Sequence, residues 1–177
     1  MHLLPSLPSL PQRSLESAVM IMEAFQGFES KVRYEISGHS GDAPDVELVA
    51  AHAVPSNDRE RLQVVRKMVA HTELCDSGDN TMASCEMAVK NITKQDADEH
   101  VVFLLSDANL EQYGIDAKAL LRLLRIDPRV KVFIIFIGSL GDQAKRLAAA
   151  LPASQVFVAL DTREIPRIMK ACLLMGM

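Results

Sequence analysis

Two apolar runs constrain the fold of this chain more than any other feature: His100 to Ser106, HVVFLLS, and Val130 to Gly138, VKVFIIFIG. Neither alternates polar with apolar residues, so neither fits a strand with one face in water. Runs of this kind suit strands of a parallel sheet covered on both faces by helices. A helical stretch from about Asp116 to Arg125 followed by Pro128 separates them, and Gln155 to Leu160 supplies a further strand after another helix, Gly141 or Asp142 to Leu151. Crossovers longer than ten residues between strands call for parallel pairing and right-handed connections. The expected fold is one α/β domain with a three-layer, doubly wound, mostly parallel sheet. Ligands in such sheets sit beyond the carboxyl ends of the strands, near the switch point. Asp107 ends the first apolar run and is placed there to bind rather than to catalyse.

The preceding half is read by the same rules. Ser14 can cap a helix whose apolar face is Leu15, Val19, Met22, Phe25 and Phe28, ending near Glu29. Lys31 to Gly38 alternates Val32, Tyr34 and Ile36 as a strand, and Val46 to Ala51 follows a turn as its edge hairpin partner. Asn57 or Asp58 caps a second helix with Leu62, Val65, Met68 and Val69 on one face, ending near Glu73. A polar loop, CDSGDN, leads to Thr81, which opens a third helix through Ile92. Asp161 or Thr162 caps a last helix, where Pro166 falls in the tolerant early turns. The start of the chain is different: Pro5, Pro8 and Pro11 suit neither helix interior nor central strand, so residues 1–13 read as an extended proline-rich arm and 14–177 as the domain. Arg13, several serines and no acid before Glu16 also admit a transit-peptide reading.

Charge and composition narrow the function. Nineteen Lys plus Arg against 23 Asp plus Glu leave a net charge of −4, which argues against nucleic acid as the principal partner. The longest apolar run, Val130 to Leu140, is broken by Lys131, Gly138 and Ser139 and falls short of the roughly 20 residues of a membrane span. A soluble, intracellular protein is expected. Cys75, Cys85 and Cys172 form no CxxC or zinc pattern, and the five histidines show no HExxH and receive no role. Aromatics are 5% of the chain, with no Trp, so stacking platforms for bases or sugars are not expected.

Asp107 on its rigid strand and the hydroxyl of Thr81 are oxygen donors of the kind hard cations such as Mg²⁺ take. Each has a plainer reading: Thr81 as the N-cap of its helix, Asp107 as the cap of the turn DANL. A carboxylate after an apolar strand also suits a small phosphohydrolase centred on Asp107, but the second acid such enzymes need two residues on is replaced by Asn109. FIGSLGD offers GxxG without a Walker motif, so nucleotide binding is unsupported.

The segments SGHSGD (37–42), CDSGDNT (75–81), LSDANLEQYGI (105–115), FIGSLGDQAKRL (136–147) and LDTREIP (160–166) resemble von Willebrand factor A (vWA) domains, specifically the C-terminal vWA domain of a large ATPase. The resemblance covers nearly everything after Ser14. It implies a metal-ion-dependent adhesion site built from three loops: DxSxS after the first strand, a Thr in the second loop and an Asp in the third. Thr81 and Asp107 match the second and third parts. DxSxS occurs nowhere, and the proline-rich arm stands where the family has its central first strand, so that strand is expected to be missing. Asp42 is no substitute, because it lies after the following strand. Ser40, Gly41 and Asp42 would line the rim.

The function expected on this resemblance is protein binding through a degenerate adhesion site, in a truncated piece of an ATPase/vWA protein, with no enzymatic activity. Mg²⁺ would bind weakly without the first loop. Exposed strand edges would invite homo-oligomers. The resemblance also admits a mitochondrial location.

Overall fold

The computed structural model describes residues 10–74, 78–107, 109–137 and 141–174. Residues 1–9 of the arm, Cys75 and Gly138 lie outside the described residues. The elements run α1 (Leu10–Ala24), β1 (Ile36–Gly38), β2 (Val46–Val49), α2 (Asp58–Leu74), α3 (Thr81–Ile92), β3 (His100–Ser106), α4 (Ala117–Leu123), β4 (Val130–Ile137), α5 (Gly141–Ala149), β5 (Val156–Ala159) and α6 (Ile165–Leu174). Single 3₁₀ turns cover Glu111–Tyr113 and Thr162–Glu164.

β3, β4 and β5 form a parallel sheet in that order. His100 stands opposite Val130 and Ser106 opposite Phe136, while Ile134 to Ile137 pair with Val156 to Ala159. The apolar runs behave as their sequence dictates: Val132, Ile134 and Ile135 in the middle strand are all 0% exposed. Their side chains alternate between two cores. Val132, Ile134 and Phe136 join Leu104, Cys85, Val89, Leu120, Leu123 and Leu147 beneath α3, α4 and α5. Ile135 and Ile137 join Ile21, Ile165 and Met169 beneath α1 and α6. The chain is therefore a three-layer α/β fold.

β1 and β2 pair antiparallel in a sheet of their own, with an irregularity between Ile36 and Ser37. Among the described residues no strand joins the two sheets. A third cluster, Met22, Val49 and Val64 with Tyr34, Leu48 and Met68 around it, seats the hairpin against α1 and α2, and Ile36 also packs into the cluster under α1 and α6.

Several boundaries differ from the sequence reading for local reasons. α1 begins at Leu10, so Ser14 lies inside the helix and does not cap it. Pro11 falls in the first turn, where its missing N–H had no intrahelical partner to lose. The helix ends at Ala24, not near Glu29, because Gly27 adopts φ 83° and turns the chain. Phe28 is thereby 52% exposed rather than on the apolar face. The first strand shrinks from Lys31–Gly38 to three residues, and its partner ends at Val49 instead of Ala51. At α2 the Asn57 carboxamide accepts from Glu60 N–H at 3.1 Å, and Glu60 accepts in return from Ser56 N–H at 2.7 Å. Of the two cap candidates Asp161 and Thr162, it is Asp161 that accepts from Arg163 N–H, at 2.9 Å, in a capping box with Glu164 at the 3₁₀ turn ahead of α6.

The middle strand leads to a direct test. Ile134→Ala is expected to lower unfolding free energy by about 2–5 kcal/mol, through lost burial and the cavity left behind. Leu160→Ala, at a side chain 62% exposed, is expected to stay within about 0.5 kcal/mol. Urea denaturation of the two variants measures both.

Candidate functional site

The carboxyl end of β1 and the amino end of α3 meet at one side of the molecule. β1 ends at Gly38, and His39 and Ser40 begin a turn closed by Ser40 N–H donating to Ala43 O at 2.9 Å. Asn80, just ahead of α3, clasps this turn: its side-chain N–H groups donate to Ser40 O at 2.6 Å and to Gly41 O at 3.1 Å. The clasp brings two glycines together. A Cβ on Gly78 would stand 2.6 Å from the Gly41 Cα, so only a residue without a side chain fits there.

Thr81 is 2% exposed and held from two sides. Its hydroxyl donates to Asp79 Oδ2 at 2.9 Å, its N–H donates to Asp79 Oδ1 at 2.8 Å, and His39 Nε2 lies 3.3 Å from the hydroxyl oxygen. Asn80 N–H points at His39 Nδ1 at 3.4 Å. One protonation pattern satisfies every contact. Because Thr81 gives its proton to Asp79, His39 donates from Nε2 to the Thr81 oxygen and accepts at Nδ1 from Asn80, as a neutral ring. Burial pushes the His39 pKa below its ordinary 6.5, Asp79 pulls it partly back, and His71 adds to the lowering. A second ring proton would also oppose the Asn80 N–H.

Thr81 thus does not cap α3. Asn80 occupies the cap position without a side-chain cap bond, and Asp79 accepts from the Thr81 N–H instead. Asp107 fulfils its plainer reading: it is half-buried, and its Oδ1 accepts from Asn109 N–H at 3.0 Å. Among the described residues no hydrogen bond joins Thr81 to Asp107, and no group of three or more His, Cys, Asp or Glu is placed to hold a metal ion. Of the three rim residues, Gly41 and Asp42 are exposed, whereas Ser40 is 8% exposed and belongs to the wall. The sequence reading missed His39, Asp79 and Asn80, although all three lie in segments it had singled out. Cys85 and Cys172 are buried free thiols, and burial raises Cys85 to about 11.

Over 159 residues, 90% of this chain, the sequence is 47% identical to von Willebrand factor A domain-containing protein 8 of Mus musculus. The chain is a vWA-like domain. The matched stretch is 8% of the mouse protein's length, so this vWA-like domain corresponds to a small part of that relative. No protein-family model and no solved structure matches the chain. No described helix is long and apolar enough to cross a membrane.

Two outcomes check the geometry around Thr81. Gly78→Ala forces two backbones apart and is expected to cost about 1–3 kcal/mol in urea denaturation. Because the folded state disfavours charged His39, the unfolded chain takes up a proton first as pH falls through 6.5, and stability drops from that point downward. His39→Gln removes this component, so wild type is expected to lose up to about 1.4 kcal/mol more per pH unit below 6.5 than the variant does.

Proposed function

We propose that this vWA-like domain is a protein-binding module, contacting its partner through the crevice beyond β1 and holding no cation tightly. The observation that carries the reading is the state of Thr81. Its hydroxyl is engaged by Asp79 and His39, and the neutral imidazole beside it adds no negative charge. A hard cation favours several oxygen ligands with carboxylate charge among them. Asp107, the carboxylate matching the family's third loop, already has one oxygen on Asn109 N–H. The donor set is a poor fit to Mg²⁺. What the turn beyond β1 offers instead is exposed Gly41 and Asp42 beside a wall of Ser40, Asn80 and Thr81.

Titration calorimetry with MgCl₂ is expected to give binding weaker than about 100 μM, or about −5.5 kcal/mol. Tighter binding that is lost in Asp107→Asn overturns the cation-free reading. A photo-crosslinking residue at Asp42 is expected to form a discrete protein adduct in cell extract, and the same residue at exposed Gln95 is not. Equal adducts at both positions, or none, count against the crevice. Hydrolysis of a generic aryl phosphate that disappears in Asp107→Asn would assign the phosphohydrolase function instead.

A further inference from the structure

α2 turns a different face to the protein than its apolar spacing announces. The sequence pattern puts Leu62, Val65, Met68 and Val69 on one face, yet the helix packs through Val64, 7% exposed, and half-buried Met68, in the cluster with Met22 of α1 and Val49 of β2. Arg61, 8% exposed and paired with Asp58 at 2.8 Å, follows the same spacing as Val64 and Met68. Leu62 and Val69 are left 48% and 39% exposed, one on each side of half-buried Val65. These three positions are three and four residues apart, so their side chains are neighbours along two turns of helix. A surface helix ordinarily carries polar residues on such a face. Aliphatics scattered singly over a surface are ordinary, whereas a contiguous stripe points to a contact surface.

Charge defines what would cover the stripe. Arg59 and Arg66 are exposed, stand three residues ahead of Leu62 and of Val69 respectively, and form no ion pair or hydrogen bond among the described residues. The other charges of the first two turns are committed: Asp58 to Arg61, Glu60 to Ser56 and Lys67 to the Glu47 carbonyl. From residue 59 to residue 69 this face is therefore apolar with two uncompensated positive charges, on a chain whose net charge is −4.

We propose that this face of α2 docks an acidic amphipathic helix from polypeptide outside residues 1–177, its apolar side chains resting on Leu62, Val65 and Val69 and its carboxylates meeting Arg59 and Arg66. Arginine suits that role because its planar fork takes a carboxylate through two parallel bonds. A second copy of this chain is a poor occupant, since a two-fold contact of α2 on itself about Val65 brings the two Arg66 side chains together. An anionic membrane is a poor occupant as well, because two arginines fall short of the roughly four to eight Lys and Arg that hold a segment to acidic lipid. The face is separate from the turn of Ser40 to Asp42 beyond β1, so losing either assignment leaves the other standing.

The test uses the full chain and a helical peptide of about 15 residues, with Leu repeated at three- and four-residue spacing, Glu beside the Leu stripe and Ala elsewhere, together with a twin carrying Lys in place of each Glu. Amide NMR titration is expected to give a Kd on the order of 100 μM for the acidic peptide, with shifts centred on residues 59–69, and binding at least tenfold weaker for the lysine twin. In the double variant Arg59→Glu, Arg66→Glu the preference is expected to reverse, an outcome that unfolding cannot produce. Leu62→Asp is expected to weaken the acidic peptide at least tenfold while the amide spectrum away from α2 stays unchanged. Equal binding of the two peptides, or shifts centred away from α2, overturns the proposal. Co-sedimentation with phosphatidylserine vesicles that is lost in Arg66→Glu, without peptide binding, makes the occupant a membrane and overturns it. A dimer on sedimentation that is lost in Leu62→Asp makes the occupant a second copy and overturns it too.

Discussion

The pairing of β3 with β4 is the constraint from which the remaining structure follows. Seven consecutive residue pairs, His100 with Val130 through Ser106 with Phe136, align two apolar runs in parallel. Parallel pairing requires crossovers, crossovers place helices on the faces, and helices on both faces require strands that are apolar throughout. β4 meets that demand completely, with side chains alternately sealed under α3–α5 and under α1 and α6. Side-chain alternation makes slippage costly, because a one-residue shift of β4 would turn Ile134 toward the wrong layer. The carboxyl end of β3, and with it Asp107, is positioned by this register.

The second half of the site depends on a different kind of contact. The hairpin is attached to the main body by polar ties, Asn80 to the Ser40–Gly41 carbonyls and His39 to Thr81, together with the apolar cluster around Met22 and Ile36. Polar ties of this sort specify geometry more than they add stability, since each net hydrogen bond contributes only about 1 kcal/mol. Removing one partner is costlier, because a buried donor is then stranded. Gly78 and Gly41 permit the approach, and His39 must remain uncharged to complete it.

How much of this was legible follows from the range of each interaction. β3, β4 and β5 could be placed to within a residue because composition and length alone specify a strand buried on both faces. Asp107 as a turn cap is written in three adjacent residues, and the Asp161 cap in the four from Asp161 to Glu164. α1 was misplaced at both ends because a first-turn proline and a positive-φ glycine are local conformational facts that apolar spacing does not encode. His39 was given no role because its partner Thr81 lies 42 residues away, and nothing in SGHSGD announces that pairing. Thr81 was read as a metal ligand or as the N-cap of α3, and the cap reading is the one the structure overturns. A hydroxyl ahead of a helix looks like a cap until the carboxylate two residues earlier takes the amide proton first.

The division of the strands into two sheets bears on how the vWA-like domain would work. A domain whose sheets were joined through one continuous ladder would hold the His39–Thr81 contact rigidly against β3. Here β1 is tied to the segment ahead of β3 through Arg33 and Asp96 and to the start of α3 through the Asn80 clasp, with no backbone ladder between β1 and β3 among the described residues. The contact of His39 with Thr81 is therefore set by side-chain ties and by the packing of Ile36, and not by backbone pairing between the two sheets.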